Sequence, residues 1–267
     1  AMFSALESNS IDVAEFTTAP FVAGVANGVP MVAIAAAFNE GKVNALVVPS
    51  GSSARSIADL KGKKVAATKG SMSFLGLALA LKKNQMTFSD INYMNMPVPT
   101  IVPAFQHGDI DAAWAWAPWA QRMEADGGRI IETNPDIPTD LWAARKAWLK
   151  EQPEAARRFI EALDLAAGTI RNEPELAIPD IAEALAITPE MARDIMKKVD
   201  VPTVREQLDP NSSRSVVHFS TVERGLANTV KLTADFFLEQ GIIKSFPPLD
   251  TVFDATPITT YAKRKTP

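Results

Sequence analysis

The sequence predicts an α/β protein of two lobes, one inserted into the other. Short apolar runs alternate with stretches of helical periodicity, the pattern of strands and helices packed in layers. The succession from Lys64 to Glu132 reads as a self-contained parallel sheet. Turn-rich segments flank it, Pro49-Ser50-Gly51-Ser52-Ser53 on one side and Asn134-Pro135-Asp136-Ile137-Pro138-Thr139 on the other. Residues 49–139 are therefore expected as an inserted lobe with its own parallel or mixed sheet. Residues 1–48 and 140–267 are expected as a discontinuous outer lobe.

The elements follow in order. Ile11 to Phe16 alternates apolar and polar residues as a half-buried strand does. Thr17-Thr18-Ala19-Pro20 breaks it, and Phe21 to Asn27 forms a short helix stopped by Gly28. Val32 to Ala37 and Ala45 to Val48 are buried strands. Ser56 caps a short helix with Asp59 three residues on, and Gly62 closes it. Lys64 to Thr68 is a strand. Gly70-Ser71-Met72-Ser73 opens a helix carrying Phe74, Leu75, Leu77, Ala78 and Leu81. Ile91 to Met96 is a strand, Thr100 to Gln106 a helix followed by Gly108, and Ile110 to Trp116 a strand ended by Ala117-Pro118. Trp119 to Ala125 is a helix ended by Gly127-Gly128, and Arg129 to Glu132 is a strand. Beyond it the chain is mostly helical. Pro153 suits a first turn, and Ala156, Phe159, Ile160, Leu163, Ala167 and Ile170 recur at helical spacing. Ile178 to Leu185 and Pro189 to Val199 are shorter helices, and Thr221 to Gln240 is a long one with Thr221 as its cap and Gly241 as its stop.

Composition narrows the function classes. The chain has 267 residues, 47% hydrophobic and 22% charged, with a net charge of −4. That is an ordinary globular balance and argues against nucleic-acid binding, which needs a basic field. The basic cluster Lys263-Arg264-Lys265 reads as a solvated tail. There is no cysteine, so disulfides, thiolate metal sites and a cysteine nucleophile are excluded. The two histidines, His107 and His218, lack metal-site spacing; His107 suits a helix C-terminus. Phosphate-loop, dinucleotide and calcium-loop motifs are absent, so no metal, no cofactor and no catalytic residue is expected. The longest apolar run, Met31 to Phe38, suits a buried strand and not the roughly 18–20 residues of a membrane span. Ala1-Met2-Phe3 is not the start of a signal segment, which is expected to lie upstream or to have been removed.

Three loops stand out, each directly after a predicted strand. The first is Thr17-Thr18-Ala19-Pro20-Phe21. The second, Thr68-Lys69-Gly70-Ser71-Met72-Ser73-Phe74, passes from strand to helix through Gly70, followed by two hydroxyl side chains, where backbone N–H groups and the positive helix end suit an anion. Ser71 or Ser73 can equally serve as an ordinary helix cap. The third is Trp114-Ala115-Trp116-Ala117-Pro118-Trp119. Alternation sends Trp114 and Trp116 to one face of their strand, near the carboxyl end where open α/β sheets bind ligands. There they form an apolar wall, or else they pack in the core.

The order of several motifs resembles the periplasmic binding proteins of nitrate, sulfonate and taurine ABC importers. The resemblance lies in Ser10-Ile11-Asp12-Val13-Ala14-Glu15-Phe16-Thr17-Thr18-Ala19-Pro20, in Ala26-Asn27-Gly28-Val29-Pro30 and in Ile57 to Ala66. It continues in Phe105 to Ala112, in Trp116-Ala117-Pro118, which is similar to the taurine branch, and in Asp140 to Lys146. It implies a type II two-lobed clamshell with two hinge crossings, exported to the periplasm and not inserted in the membrane. It also implies an ABC permease and its ATPase as partners, no catalysis and a small anionic solute such as taurine. Alkanesulfonate, nitrate or a pyrimidine precursor are the alternative solutes, and an enzyme on the same fold is the remaining one. The implied ligand set is Thr17, Thr18, Ala19, Pro20, Gly70, Ser71, Met72, Ser73, Phe74, Trp114, Trp116 and Pro118. Two departures stand beside it. The family normally begins with a strand and helix ahead of the segment that here starts at Ala1, and these are expected to be absent. Taurine binders tend to carry an acid where Asn44 precedes Ala45-Leu46-Val47-Val48.

Overall fold

The computed structural model describes residues 2–133, 140–216 and 225–265. The expected crossing at 134–139, His218 and the Thr221 cap lie outside the described residues. The chain divides into two compact units, residues 1–39, 137–180 and 200–267 in the first and 40–136 and 181–199 in the second.

Helix α1 (Met2–Glu7) buries Leu6. Strand β1 (Val13–Thr17) turns Ala14 and Phe16 inward, as the alternation predicts. Helix α2 (Thr18–Ala26) starts at once, with Thr17 as its N-cap. The expected break at Thr17 to Pro20 is thus the first helical turn. Proline is accepted there because the amide it lacks would have no intrahelical partner. Gly28, at φ 87°, ends the turn that follows the helix. Strands β2 (Met31–Ala36) and β3 (Ala45–Val48) are buried along their whole length.

Ser56 and Asp59 form the predicted cap of a short 3₁₀ turn at Ile57–Leu60, the Ser56 amide and hydroxyl both donating to the Asp59 carboxylate at 2.9 Å. Strand β4 (Lys64–Ala67) leads into α3 (Met72–Lys83). Strand β5 (Asn92–Asn95), α4 (Val98–Gln106), β6 (Ala112–Ala115), α5 (Trp119–Ala125) and β7 (Arg129–Thr133) follow. His107 caps the C-terminus of α4, as its position suggests. Strand β8 (Asp140–Arg145) begins the helical remainder: α6 (Lys146–Glu151), α7 (Pro153–Asn172), α8 (Pro174–Leu185), α9 (Pro189–Met196), α10 (Val204–Leu208), α11 (Leu226–Glu239) and α12 (Thr256–Lys265). No described helix is long and apolar enough to cross a membrane.

The first unit holds a three-stranded antiparallel sheet in the order β1-β8-β2. Val32, Ile34 and Ala144 pack on Trp148 and Ala156, with Trp142 edge-on to Phe159 at 5.2 Å. The second unit holds a five-stranded sheet in the order β5-β4-β6-β3-β7. Strand β4 runs parallel to β5 and β6, whereas β3 is antiparallel to β6 and β7. The sheet is therefore mixed. The sequence reading groups Ala45–Val48 with residues 1–48, but its pairing places it inside this sheet. The first boundary between units consequently falls at Asn39/Glu40 and not at 49–53. Residues 181–199 also belong to the second unit, where Arg122 donates to the Ala186 carbonyl at 3.1 Å.

Gly128 precedes β7 at a close approach. A Cβ there would stand 2.6 Å from the Met123 carbonyl oxygen and 2.9 Å from Val47 Cγ1. Gly128→Ala is expected to cost about 1–3 kcal/mol in urea denaturation, the range for overpacking. Gly51→Ala, with nothing near its Cβ, should stay within about 0.5 kcal/mol.

Candidate functional site

The topology of the second unit creates a gap. From β4 the chain passes through α3 to β5, then returns through α4 to β6 on the other side of β4. Leu77 and Leu81 of α3 pack with Val65, Ala67 and Trp114. Ile101 and Phe105 of α4 pack in a separate cluster with Ala66, Ala113 and Ala115. The two connections therefore cover opposite faces, and the loops after β4 and β6 diverge. Open α/β sheets bind ligands outside the carboxyl ends of their strands at such a switch point.

The loop after β4 is shaped by its own residues. Gly70 adopts φ 77°, a left-handed conformation that suits glycine. Ser71 is the N-cap of α3. Its hydroxyl donates to the Thr68 carbonyl at 2.6 Å and accepts from the Phe74 amide at 3.3 Å. The loop is pinned from outside by Thr68 Oγ1, which donates to the Met96 carbonyl at 2.8 Å, and by the Lys69 amide on Asn95 Oδ1 at 2.9 Å. Ser71 is thus the cap, and Ser73 is not. Ser73 is fully buried in the first turn, and its hydroxyl has no hydrogen-bond partner. Met72 is buried beside it.

Phe74 is 2% exposed and stacks on Phe88 at 4.8 Å, with Tyr93 5.4 Å away. Its ring belongs to an interior aromatic group. Tyr93 donates to the Ala67 carbonyl at 3.0 Å, and burial pushes its phenol up to about 12.

The two tryptophans separate. Strand β6 ends at Ala115, so the alternation stops before Trp116. Trp114 is fully buried in the α3-side cluster, and its indole N–H donates to Asn44 Oδ1 at 2.6 Å. Trp116 packs on the α4-side cluster and keeps part of its surface exposed. The expectation of one shared face is therefore corrected, and Trp114 is a core residue. Pro118 is buried behind a cis Ala117–Pro118 bond and is the N-cap of α5. Asn44, flagged as a departure, is the acceptor for Trp114; its Nδ2 lies 3.5 Å from the buried Glu40 Oε1.

Sequence reasoning missed Gln121. It lies on α5, is 4% exposed, and donates through Nε2 to the Val43 carbonyl at 3.4 Å, while its Oε1 is buried without a partner. No motif marks it, because a glutamine three residues after a proline is an unremarkable helical residue.

In the first unit, Thr17 makes no capping bond with its side chain and stays partly exposed. Thr18 and Ala19 are fully buried, and Pro20 is half-buried. Thr233 Oγ1 lies 3.5 Å from the Thr18 hydroxyl, so Thr18 faces α11. Thr17 is the partly exposed hydroxyl of that turn. Thr17 stands opposite Asp140 in the sheet register. Asp140 is buried and hydrogen-bonds Glu15, whose carboxyl is raised by burial against the lowering effect of that bond. A cavity of about 450 Å³ in this unit, between Val32, Leu149, Phe253 and Lys146, lies at the Arg145 end of β8, away from Thr17. Among the described residues no three acidic or histidine side chains are grouped to hold a metal ion.

These two α/β units, one with a switch point in its sheet, form the fold of periplasmic binding proteins. The crystal structure of the aliphatic sulphonate binding protein SsuA from Escherichia coli superposes with a TM-score of 0.78 at 22% identity, covering 95% of this chain and 78% of that one. The chain belongs to the NMT1/THI5-like family, whose model matches residues 3–177. It is 30% identical over 183 residues to the taurine-binding periplasmic protein of Escherichia coli, covering 66% of this chain and 55% of that protein. It is 24% identical over 245 residues to the aliphatic sulfonates-binding protein of the same organism, named there as putative, covering 91% and 72%. The chain thus spans little more than half the length of the taurine-binding relative. A desulfurization enzyme, DszB, shares the fold with a TM-score of 0.72 at 13% identity, covering 95% of this chain and 85% of that one.

Two outcomes follow from the buried polar groups. Trp114→Phe removes the donor to Asn44 and leaves a buried acceptor unpaired, so chemical denaturation should show a loss of about 1–3 kcal/mol. A carboxyl raised in the folded state binds more protons than in the unfolded chain, so its contribution falls as pH rises above the ordinary carboxylate range. Glu15→Gln, which mimics the protonated form, should therefore raise the Tm by a few degrees at pH 7. The difference should close near pH 4 in a thermal-melt series.

Proposed function

We propose that the protein captures a small sulfonate-type anion, such as taurine, for an ABC importer. Its partners are then the permease and ATPase of that importer, and its compartment is the periplasm. The reading rests above all on Ser73, a fully buried hydroxyl without a partner in the first turn of α3, at the switch point between β4 and β6. A buried unpaired hydroxyl costs about 1–3 kcal/mol. A bound anion oxygen removes that cost and also gains from the positive helix end. Gly70 and Ser71 set the turn, and Trp116 covers the short organic part. The names of the relatives support a sulfonate, and they support alkanesulfonates as well as taurine. The enzyme reading has less support: the chain contains no cysteine, and the likeness to DszB is one of fold.

Isothermal titration against taurine, hypotaurine, isethionate, alkanesulfonates and nitrate tests the proposal. Sulfonates should bind, and the absence of heat from all of them would overturn it. Ser73→Ala should weaken sulfonates about 10–100-fold, the value of a charge-assisted hydrogen bond of about 1.5–3 kcal/mol. The ligand-free variant should melt at or above the wild-type temperature, since it loses an unsatisfied group. A Ser73→Ala protein that binds normally would remove the site from this turn.

A further inference from the structure

We infer that Gln121 reads the end of the solute remote from the anion, its side-chain oxygen accepting a hydrogen bond from an amine or hydroxyl. The inference rests on the sulfonate reading above and assigns the solute a second functional group. Amide orientation is set by the hydrogen-bond network. Here Nε2 faces the Val43 carbonyl at 3.4 Å, which leaves Oε1 as a buried acceptor with no donor. Such groups are rare and call for an explanation. The neighbouring carboxamide offers no alternative, because Asn44 Oδ1 already accepts from Trp114 at 2.6 Å.

Position supports the assignment. Val43 lies just ahead of β3, whose first residue Ala45 pairs with Ala115 at the carboxyl end of β6. Gln121 therefore stands at the same edge of the sheet as Ser73. Their strands are two spacings apart, about 10 Å at ~4.8 Å per spacing, and their helices pack on opposite faces of the sheet. A sulfonate without a donor would leave Oε1 unpaired. The solute class is thus sulfonates ending in a hydrogen-bond donor. A neutral amide oxygen accepts from ammonium and hydroxyl alike, whereas a carboxylate would favour the cation.

Titration of the full chain with taurine, isethionate and ethanesulfonate tests this. The wild type should bind ethanesulfonate at least tenfold more weakly than the other two. Gln121→Leu should weaken taurine and isethionate at least tenfold, leave ethanesulfonate within threefold, and so erase the discrimination. Gln121→Glu, close in shape, should keep taurine and lose isethionate, and it serves if the leucine variant fails to fold. Equal affinity of the wild type for all three sulfonates would overturn the inference while leaving the sulfonate reading intact. So would an equal loss for all three in both variants. Silence from every sulfonate would overturn both.

Discussion

The crossing of the chain from one side of β4 to the other is the constraint on which the rest depends. A strand with parallel neighbours on both flanks must send one connection over each face of the sheet. Here α3 takes one face and α4 the other. The loops leaving β4 and β6 therefore diverge at the carboxyl edge of the sheet. Everything chemical in the second unit collects along that edge: the Gly70 turn, the first amides of α3, the Ser73 hydroxyl, the partly exposed face of Trp116 and the Gln121 oxygen. Two of these are buried polar atoms that the protein itself does not satisfy. Natural interiors tolerate few such atoms, and these two are the observations on which the proposed site rests.

The supporting groups show how that rim is held. Ser71 carries the ordinary burden of capping and is braced to Thr68. Asn95 and Thr68 tie the loop to the neighbouring strand. Trp114 and Asn44 close the core beneath, so the side chains above it rest on a rigid floor. A site fixed by strands and a helix start binds with little cost of ordering. In the first unit, Thr17 has a comparable place, at the end of β1 and the start of α2, while Thr18 and Thr233 lock the helix behind it.

Much of this was legible in the sequence, because local rules decide it. The buried strands, the Ser56–Asp59 box and the Gly70 turn follow from period, capping and glycine chemistry. The glycines at 28, 62 and 108 adopt positive φ at the stops where the pattern placed them, and Gly70 does so where the chain opens α3. What failed depended on distant partners. Nothing local told Ala45–Val48 that its neighbours would be β6 and β7. Alternation across Trp114 and Trp116 held only while the strand did, and it ended one residue too soon. Thr18 looks like a solvent-facing hydroxyl until α11, more than two hundred residues later, covers it. Gln121 was invisible because its meaning lies in a bond it does not make.

The place of β3 carries a practical consequence. Strand β7 joins the sheet solely through β3, and β6 uses β3 as one of its two neighbours. A fragment cut at residues 49–139, the span that contiguity suggests, would leave β7 without any partner and β6 with a bare flank. Such open hydrogen-bonding rims template aggregation. The smaller unit is therefore woven from separate stretches of chain, and excising it demands a start ahead of Ala45.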